Sequence, residues 1–231
     1  EPPATGPLVV VGPGAGPRRD RRGARPGLGW WGPLLGRSGY AAAGRGTLQA
    51  ATGAGLPVRA LSADVPPEGM APPPLSLPPQ DFSPAAWVVH HPPTLATGAD
   101  VWGEVQAALG APVVGATCFE AEGVPPGWVE ASRAVREVWV PSGFNARTFA
   151  AAGMDAGRIH VVPYPVDATL LAEGPRPPEA GGPTTFLSVF EWTWRKGWDV
   201  LLRAWAEEFT ADEPVRLVVL TYRGAGAATA R

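Results

Sequence analysis

The sequence predicts an α/β protein with a parallel sheet, because short apolar runs alternate with helix-compatible segments. The runs are rich in valine and other strand-forming residues, which is typical of strands buried on both faces. They cover residues 87–90, 112–116, 137–140 and 159–162. Between them, Trp128, Ala131 and Val135 recur at helical spacing, and Ser142 can cap a helix that ends at Gly153. Strands that alternate with helices indicate parallel βαβ units.

A second unit of the same kind follows a segment rich in proline and glycine. Residues 173–183 can join neither a helix nor a sheet interior, so they predict a linker. After it, residues 186–190 and 215–220 predict strands, with a helical stripe of apolar residues between them. The predicted organisation is a poorly ordered arm at 1–30, a parallel-sheet domain at 31–172, the linker, and the start of a second α/β domain at 184–231.

The region between the arm and the regular alternation predicts fewer elements. Residues 40–54 are rich in alanine and predict a helix, and residues 58–61 predict a short strand. The proline-rich stretch 63–84 predicts an extended loop. Among the larger aromatic side chains of the later elements, we expect three to lie in the core, namely Trp139, Phe144 and Phe149.

The composition limits the classes of protein to which the chain can belong and the partners that we expect it to bind. The chain has 231 residues, of which 45% are hydrophobic, and its ten tryptophans can fill a substantial core. A net charge of −2 gives no overall basic field, so we expect no nucleic-acid partner. The single cysteine, Cys118, allows no internal disulfide, and no apolar run of about 18 residues predicts a membrane span. We expect a cytoplasmic protein that is soluble or peripherally bound to a membrane.

The only lysine of the chain, Lys196, lies between a strand-like run and a helix-like run, whereas every other basic residue is arginine. A compact ammonium group at a strand-to-helix turn can bind a phosphate together with the helix N-terminus. The alternative is a solvated lysine at the start of a surface helix. The neighbouring Arg195 has the same two interpretations, a phosphate ligand or a solvated charge.

Further polar residues follow other strand-like runs, where open α/β sheets bind their ligands. His90 and His91 follow one run, and either can orient or deprotonate a hydroxyl group or have a structural role. No third histidine or nearby cysteine completes a ligand set with this pair, so we expect no metal site. In the turn before the first helix, Gly39 would let backbone N–H groups approach an anion, and an ordinary loop is the alternative.

Four segments then occur in a distinctive order. They are the 36–40 turn, the Cys-Phe-Glu and Pro-Pro-Gly-Trp pieces of 118–128, the 137–145 segment, and the 186–190 strand leading to Arg195-Lys196-Gly197. The most specific are Trp-Val-Pro-Ser-Gly-Phe-Asn at 139–145 and Val-Val-Pro-Tyr-Pro-Val-Asp at 161–167. In this order and spacing they resemble the family 4, or group 1, glycosyltransferases, which have the GT-B fold. The resemblance spans about residues 30–222.

The resemblance implies two facing Rossmann-like domains, with the acceptor bound mainly by the first and a nucleotide sugar mainly by the second. It implies transfer of a sugar, with retention of configuration, from a nucleotide-diphosphate donor to a hydroxyl group of a carbohydrate, lipid or protein. No cofactor or essential metal is implied. The residues that we expect in the site are Lys196, Arg195, His90 and His91 for catalysis, Lys196, Arg195, Ser38 and Gly39 for the donor phosphates, and Tyr40 and Glu120 for the acceptor.

The chain departs from the family pattern in two places. The usual arginine several residues before the lysine is missing, so either Arg195 takes its role or the second cation comes from elsewhere. The Glu-x7-Glu pair of the family would fall beyond Arg231, so we expect a fragment with weak or no transferase activity by itself. Two alternatives remain: a non-catalytic remnant that binds carbohydrate or nucleotide, and a sugar-nucleotide epimerase or phosphorylase on the same architecture.

Overall fold

The structure, a computed structural model, describes residues 27–36, 38–64, 82–166, 174 and 182–222. The chain divides into two compact units, Glu1–Leu170 and Leu171–Arg231. Most of the predicted arm at 1–30, most of the predicted extended loop at 63–84 and most of the predicted linker at 173–183 lie outside the described residues.

In the part of the first unit that the structure describes, six strands form one sheet. They are β1 (Leu28–Gly32), β2 (Val58–Ser62), β3 (Ala86–His90), β4 (Val113–Ala116), β5 (Glu137–Val140) and β6 (Ile159–Val161). The strand order is β2-β1-β3-β4-β5-β6, and every neighbouring pair is parallel. The carboxyl ends of all six strands therefore lie at one edge. The prediction of a parallel, Rossmann-like α/β sheet is confirmed.

Within the described residues, four α-helices accompany this sheet. They are α1 (Gly39–Gly53), α2 (Val101–Leu109), α3 (Pro126–Ser132) and α4 (Gly143–Ala151). The predicted cap of α4 is confirmed, since the Ser142 hydroxyl accepts a hydrogen bond from the backbone N–H of Asn145 at 3.2 Å. The predicted helical stripe from Trp128 to Val135 is too long, because α3 ends at Ser132. Val135 is nevertheless buried in the core.

Two clusters of buried side chains cover the two faces of the sheet. Successive residues of a strand point to opposite faces, so the adjacent Trp30 and Trp31 of β1 belong to different clusters. The Trp30 cluster includes Leu48 of α1, and the Trp31 cluster includes Trp102 of α2 and Phe149 of α4. The sheet is thus buried on both sides, as the valine-rich strands predict.

The structure contains two elements that the sequence does not predict, and it corrects one prediction. The strand β1 is missed, because Gly29 and Gly32 suggest a loop. Both glycines are required by close packing: a Cβ atom at Gly29 would collide with the Trp87 ring, and one at Gly32 would lie 2.5 Å from the His90 carbonyl oxygen. The helix α2 is also missed. The expectation that Phe144 lies in the core is wrong, since it is 38% exposed, whereas Phe149 is fully buried.

The second unit is one βαβ motif, as predicted. It contains β7 (Thr184–Glu191), α5 (Trp198–Glu208) and β8 (Val215–Tyr222), and the two strands are parallel. The ring of Phe186 on β7 packs against Trp205 of α5, with ring centroids 5.4 Å apart. A short 3-10 turn, Trp194–Lys196, lies between β7 and α5.

Candidate functional site

The strand order of the first sheet reverses between β1 and β3. From β1 the chain passes through α1 to β2 on one side, and from β3 it passes through α2 to β4 on the other. In open α/β sheets a ligand binds in the crevice that this reversal creates at the carboxyl edge. Here β1 ends at Gly32 and β3 ends at His90. The predicted His90–His91 pair therefore lies at the switch point of the sheet.

His90 is enclosed by aromatic rings and is only 1% exposed. Its ring centroid lies 5.1 Å from that of Trp30, 4.8 Å from that of Tyr40 and 5.7 Å from that of Tyr164. Its Nε2 atom is 3.4 Å from the Tyr164 hydroxyl. Burial, with a contribution from the charge of His91, lowers the pKa of His90 from 6.5 to about 4. His90 is therefore neutral at pH 7 and shielded from solvent.

His91 has a different environment, because it is only partly buried. Its Nδ1–H donates a hydrogen bond of 2.8 Å to the carbonyl oxygen of Pro92. Burial lowers the pKa of His91 and outweighs the opposing effect of that hydrogen bond. The neutral ring consequently carries its proton on Nδ1 and a free lone pair on Nε2. This is the tautomer that a general base acting through Nε2 requires.

The hydroxyl of Tyr40 joins the start of α1 to the end of β4. It lies 2.7 Å from the Thr117 hydroxyl and donates to the carbonyl oxygen of Cys118 at 3.3 Å. Burial and the neighbouring Cys118 thiol raise the pKa of Tyr40 well above its ordinary value. The hydroxyl thus stays protonated and has partners inside the protein. Glu120, two residues beyond Cys118, is exposed in the loop that follows β4.

The turn between β1 and α1 binds a carboxylate of the protein itself. Asp64, just beyond β2, accepts hydrogen bonds from the backbone N–H groups of Leu34, Leu35 and Gly36 at 2.7, 2.9 and 2.6 Å. The Ser62 hydroxyl donates a fourth at 2.6 Å. Successive N–H groups that converge on one carboxylate form an anion-binding nest. These three donors of the turn are therefore occupied by Asp64.

The carbonyl groups of the same turn are held from α1. Arg45 donates through Nη1 to the carbonyl oxygens of Leu34 and Gly36, at 2.8 and 2.9 Å. The turn is thus fixed on its donor side by Asp64 and on its acceptor side by Arg45. This clamp sets the position at which α1 begins.

Ser38 and Gly39, which we expect to contact donor phosphates, follow this clamped turn and are exposed. The Ser38 hydroxyl caps α1 by accepting from the backbone N–H of Ala41 at 3.2 Å. Open space surrounds the position that a Cβ atom on Gly39 would take. A ligand can therefore approach the backbone at Gly39, and the Ser38 hydroxyl uses a lone pair to cap α1, which leaves its O–H as a donor.

Asp64→Asn is expected to destabilise the first unit by about 2 kcal/mol, because hydrogen bonds to a charged acceptor are lost. Burial opposes ionisation of Asp64, but the hydrogen bonds from Leu35, Ser62, Leu34 and Gly36 prevail and lower its pKa below 3.8. A depressed carboxyl pKa stabilises the fold above the unfolded pKa, and the stabilisation disappears as pH falls through the folded pKa. Urea unfolding at pH 7 and at successively lower pH values measures both effects.

We expect the stabilities of wild type and Asp64→Asn to differ at pH 7 and to converge below about pH 4. Glu122→Gln is the matched control, since Glu122 is an exposed carboxylate of the same unit. An equal loss in both variants would show that the nest contributes nothing specific.

In the second unit, Arg195 and Lys196 lie in the 3-10 turn between β7 and α5, and both are exposed. The turn closes at Gly197, whose φ of 64° is the left-handed conformation that favours glycine. Gly197 also starts α5 and supplies no side-chain cap to its first N–H groups. The predicted placement of Lys196 at a strand-to-helix turn is thus confirmed, with the start of a helix beside it.

A stack of aromatic rings accompanies these two cations. Trp192 and Trp198 are stacked with centroids 4.6 Å apart and an interplanar angle of 17°. Phe190 stacks on Trp192, and Trp194 contacts Trp198 at 5.1 Å. The stack packs the end of β7 against the start of α5. The position of Lys196 is therefore fixed by packing on both sides of the turn.

Two features of the site have weak sequence signals. Asp64 lies at the end of a short strand, and only its register beside β1 places its carboxylate in the nest. Tyr164 belongs to the Val-Val-Pro segment, and nothing in that segment predicts that its ring covers His90. In the described part of the chain, no three His, Cys, Asp or Glu side chains come together as a metal ligand set.

No family model matches the chain, and no curated protein matches it. Within the described residues, no helix has the length and apolar character that are needed to cross a membrane.

Proposed function

We propose that this chain is part of a retaining glycosyltransferase, which moves a sugar from a nucleotide-diphosphate donor to an acceptor hydroxyl. One observation carries the proposal: each of the two parallel α/β units presents a suitable group where its strands end. In the first unit His91 lies at the switch point, and in the second Lys196 lies in the strand-to-helix turn. These groups match the two needs of the reaction, a polar partner for a hydroxyl and a cation for a diphosphate.

The diphosphate needs cations because negative charge builds on it as the glycosidic bond breaks. Lys196 offers a compact positive charge, and Arg195 beside it offers planar donors that fit two phosphate oxygens. The uncapped start of α5 adds backbone N–H groups. A preorganised group of this kind stabilises a transition state by about 3 kcal/mol.

The acceptor hydroxyl needs a partner that orients it and accepts hydrogen from it. His91 is the better suited of the two histidines, because its Nδ1–H donates to Pro92 and leaves the Nε2 lone pair free. Its lowered pKa keeps the ring neutral at pH 7. His90 is enclosed by three aromatic rings and has Tyr164 at its Nε2. We therefore assign the acceptor contact to His91 and a positioning role to His90.

Product analysis with radiolabelled nucleotide sugars tests this function. The chain is incubated with labelled UDP- and GDP-sugars, with and without a panel of carbohydrate and lipid acceptors, and the products are separated. Because we expect the chain to have weak transferase activity by itself, we expect a low yield of labelled glycoside, which should form only when an acceptor is present and should keep the anomeric configuration of the donor. An altered sugar released without acceptor would identify an epimerase instead. Nucleotide-sugar binding without any product would favour a binding protein and contradict catalysis by this chain.

A further inference from the structure

A small cavity lies beside His90 in the first unit. Its lining includes Trp30 of β1, His90 of β3, Thr117, Trp139 of β5 and Tyr164. The volume open to the centre of a water molecule is about 20 Å³. A cavity holds a water molecule when this volume exceeds roughly 10–15 Å³. The space is therefore sufficient for about one water molecule.

Two polar atoms on residues of this lining have no hydrogen-bond partner within the described residues. They are the indole Nε1 of Trp30 and the Nδ1 of His90. Trp30 is 3% exposed and His90 is 1% exposed, so bulk solvent does not reach either side chain. Buried polar groups that lack a protein partner are typically satisfied by ordered water. Both nitrogen atoms therefore indicate an ordered water as their partner.

The chemistry of the indole nitrogen fixes one of the hydrogen bonds of such a water. The indole N–H can only donate, so its partner must accept. The ring centroids of Trp30 and His90 are 5.1 Å apart. Two hydrogen bonds of about 2.9 Å that meet at one water oxygen join atoms roughly 5 Å apart. Since the two rings are neighbours and both residues line the cavity, a single water there has both side chains within its surroundings.

We propose that this cavity binds one ordered water, which accepts a hydrogen bond from Trp30 Nε1 and donates one to His90 Nδ1, and thereby fixes His90 as the Nε2–H tautomer. The Thr117 hydroxyl, also in the lining, is available as the third partner that buried waters usually have. This inference does not depend on the transferase proposal.

The tautomer has a consequence for Tyr164. With the proton on Nε2, His90 donates to the Tyr164 hydroxyl at 3.4 Å. Burial raises the pKa of Tyr164, so its hydroxyl stays protonated and can accept this hydrogen bond. The groups that face His90 are His91, Tyr40 and Tyr164, and none of them protonates His90 at pH 7. His90 is thus a positioning residue that holds Tyr164 over the cavity.

Nitrogen NMR of the 15N-labelled chain at pH 7 tests the tautomer directly. The chain has three histidines, so the His90 signals are assigned with the single variants His91→Gln and His160→Gln. We expect the neutral His90 ring to carry its proton on Nε2. A proton on Nδ1, or an equal mixture of the two tautomers, would overturn the proposal. If a variant does not fold, a high-resolution crystal structure of the wild type still tests whether the water is present.

A comparison of the variants Trp30→Phe and Trp139→Phe tests whether the bridging water fixes the tautomer of His90. Both tryptophans line the cavity, but only the Trp30 indole nitrogen is buried without a partner among the described residues. Trp30→Phe should remove the donor and let His90 populate both tautomers, whereas Trp139→Phe should leave the Nε2–H form unchanged. An unchanged tautomer in Trp30→Phe would contradict a bridging water. A high-resolution crystal structure should show one water within hydrogen-bond distance of both nitrogens, and a dry cavity would also overturn the proposal.

Discussion

Lys196→Ala is expected to weaken the binding of a nucleoside diphosphate by about ten- to a hundredfold. A hydrogen bond between a cation and a phosphate contributes about 1.5–3 kcal/mol, and each 1.4 kcal/mol corresponds to a factor of ten in Kd. The effect is large because Lys196 lies in a turn that Gly197 and the stacked Trp192 and Trp198 hold in place. Isothermal titration calorimetry with UDP and GDP measures it.

Three variants sharpen this test. Lys196→Arg keeps the positive charge and should lose less affinity than Lys196→Ala. Arg203→Ala removes an exposed cation from the body of α5 and should bind as the wild type does. Arg195→Ala reports the second cation. If Lys196→Ala retains full affinity while Arg195→Ala loses it, Arg195 is the phosphate ligand and the assignment to Lys196 is wrong.

Trp102→Ala is expected to lower the free energy of unfolding of the first unit by about 3–5 kcal/mol, the usual cost of removing a buried aromatic side chain. Trp102 is fully buried, and its ring packs against Gly115 of β4, where a Cβ atom would collide with it. Its Nε1–H also donates to the carbonyl oxygen of His91 at 3.0 Å. The variant therefore loses core packing and a support of the candidate site. Urea unfolding followed by circular dichroism measures the change.

Trp102→Phe and Trp194→Ala are the comparisons for this prediction. Trp102→Phe keeps an aromatic ring but loses the hydrogen bond to His91, so its stability should fall between those of the wild type and Trp102→Ala. Trp194 is 73% exposed, and its removal should change stability by about 0.5 kcal/mol or less. Equal losses in Trp102→Ala and Trp194→Ala would contradict the assignment of Trp102 to the core.

The parallel sheet could be predicted from sequence because its central strands are buried on both faces. Such strands are short continuous apolar runs, and those at β3, β4 and β5 stand out between helix-compatible segments. The edge strand β6 is more exposed, but its run of β-branched residues is equally visible in the sequence. The cap at Ser142 is also readable, because one hydroxyl and its target N–H are close in sequence. Apolar runs and hydrogen bonds between residues close in sequence can both be recognised in a single amino-acid sequence.

The strand β1 could not be predicted, because its signal is not local. Gly29 and Gly32 read as turn residues until their neighbours in the sheet are known. They are glycine because the Trp87 ring and the His90 backbone approach them across the strand pair β1–β3. A sequence pattern reports the conformation that a residue type prefers. At Gly29 and Gly32, by contrast, the residue type is determined by the atoms of β3 that pack against it.

The candidate site, like the fold, could be predicted only in part from the sequence. A strand end followed by two histidines is visible in the sequence, but the different roles of His90 and His91 are not. The difference arises from Tyr164, which covers His90 from 74 residues away, and from the Pro92 carbonyl, which fixes the tautomer of His91. The nest around Asp64 likewise depends on the pairing of β1 with β2.

The most direct test of the central claim is to titrate the wild-type chain with UDP and GDP and, in parallel, with uridine and guanosine. The account predicts that a nucleoside diphosphate binds and that the matching nucleoside binds much more weakly, because we propose that the exposed cations Arg195 and Lys196 bind phosphate. Equal affinity for diphosphate and nucleoside, or no binding of either, would contradict a diphosphate site in the second unit and with it the proposed glycosyl transfer.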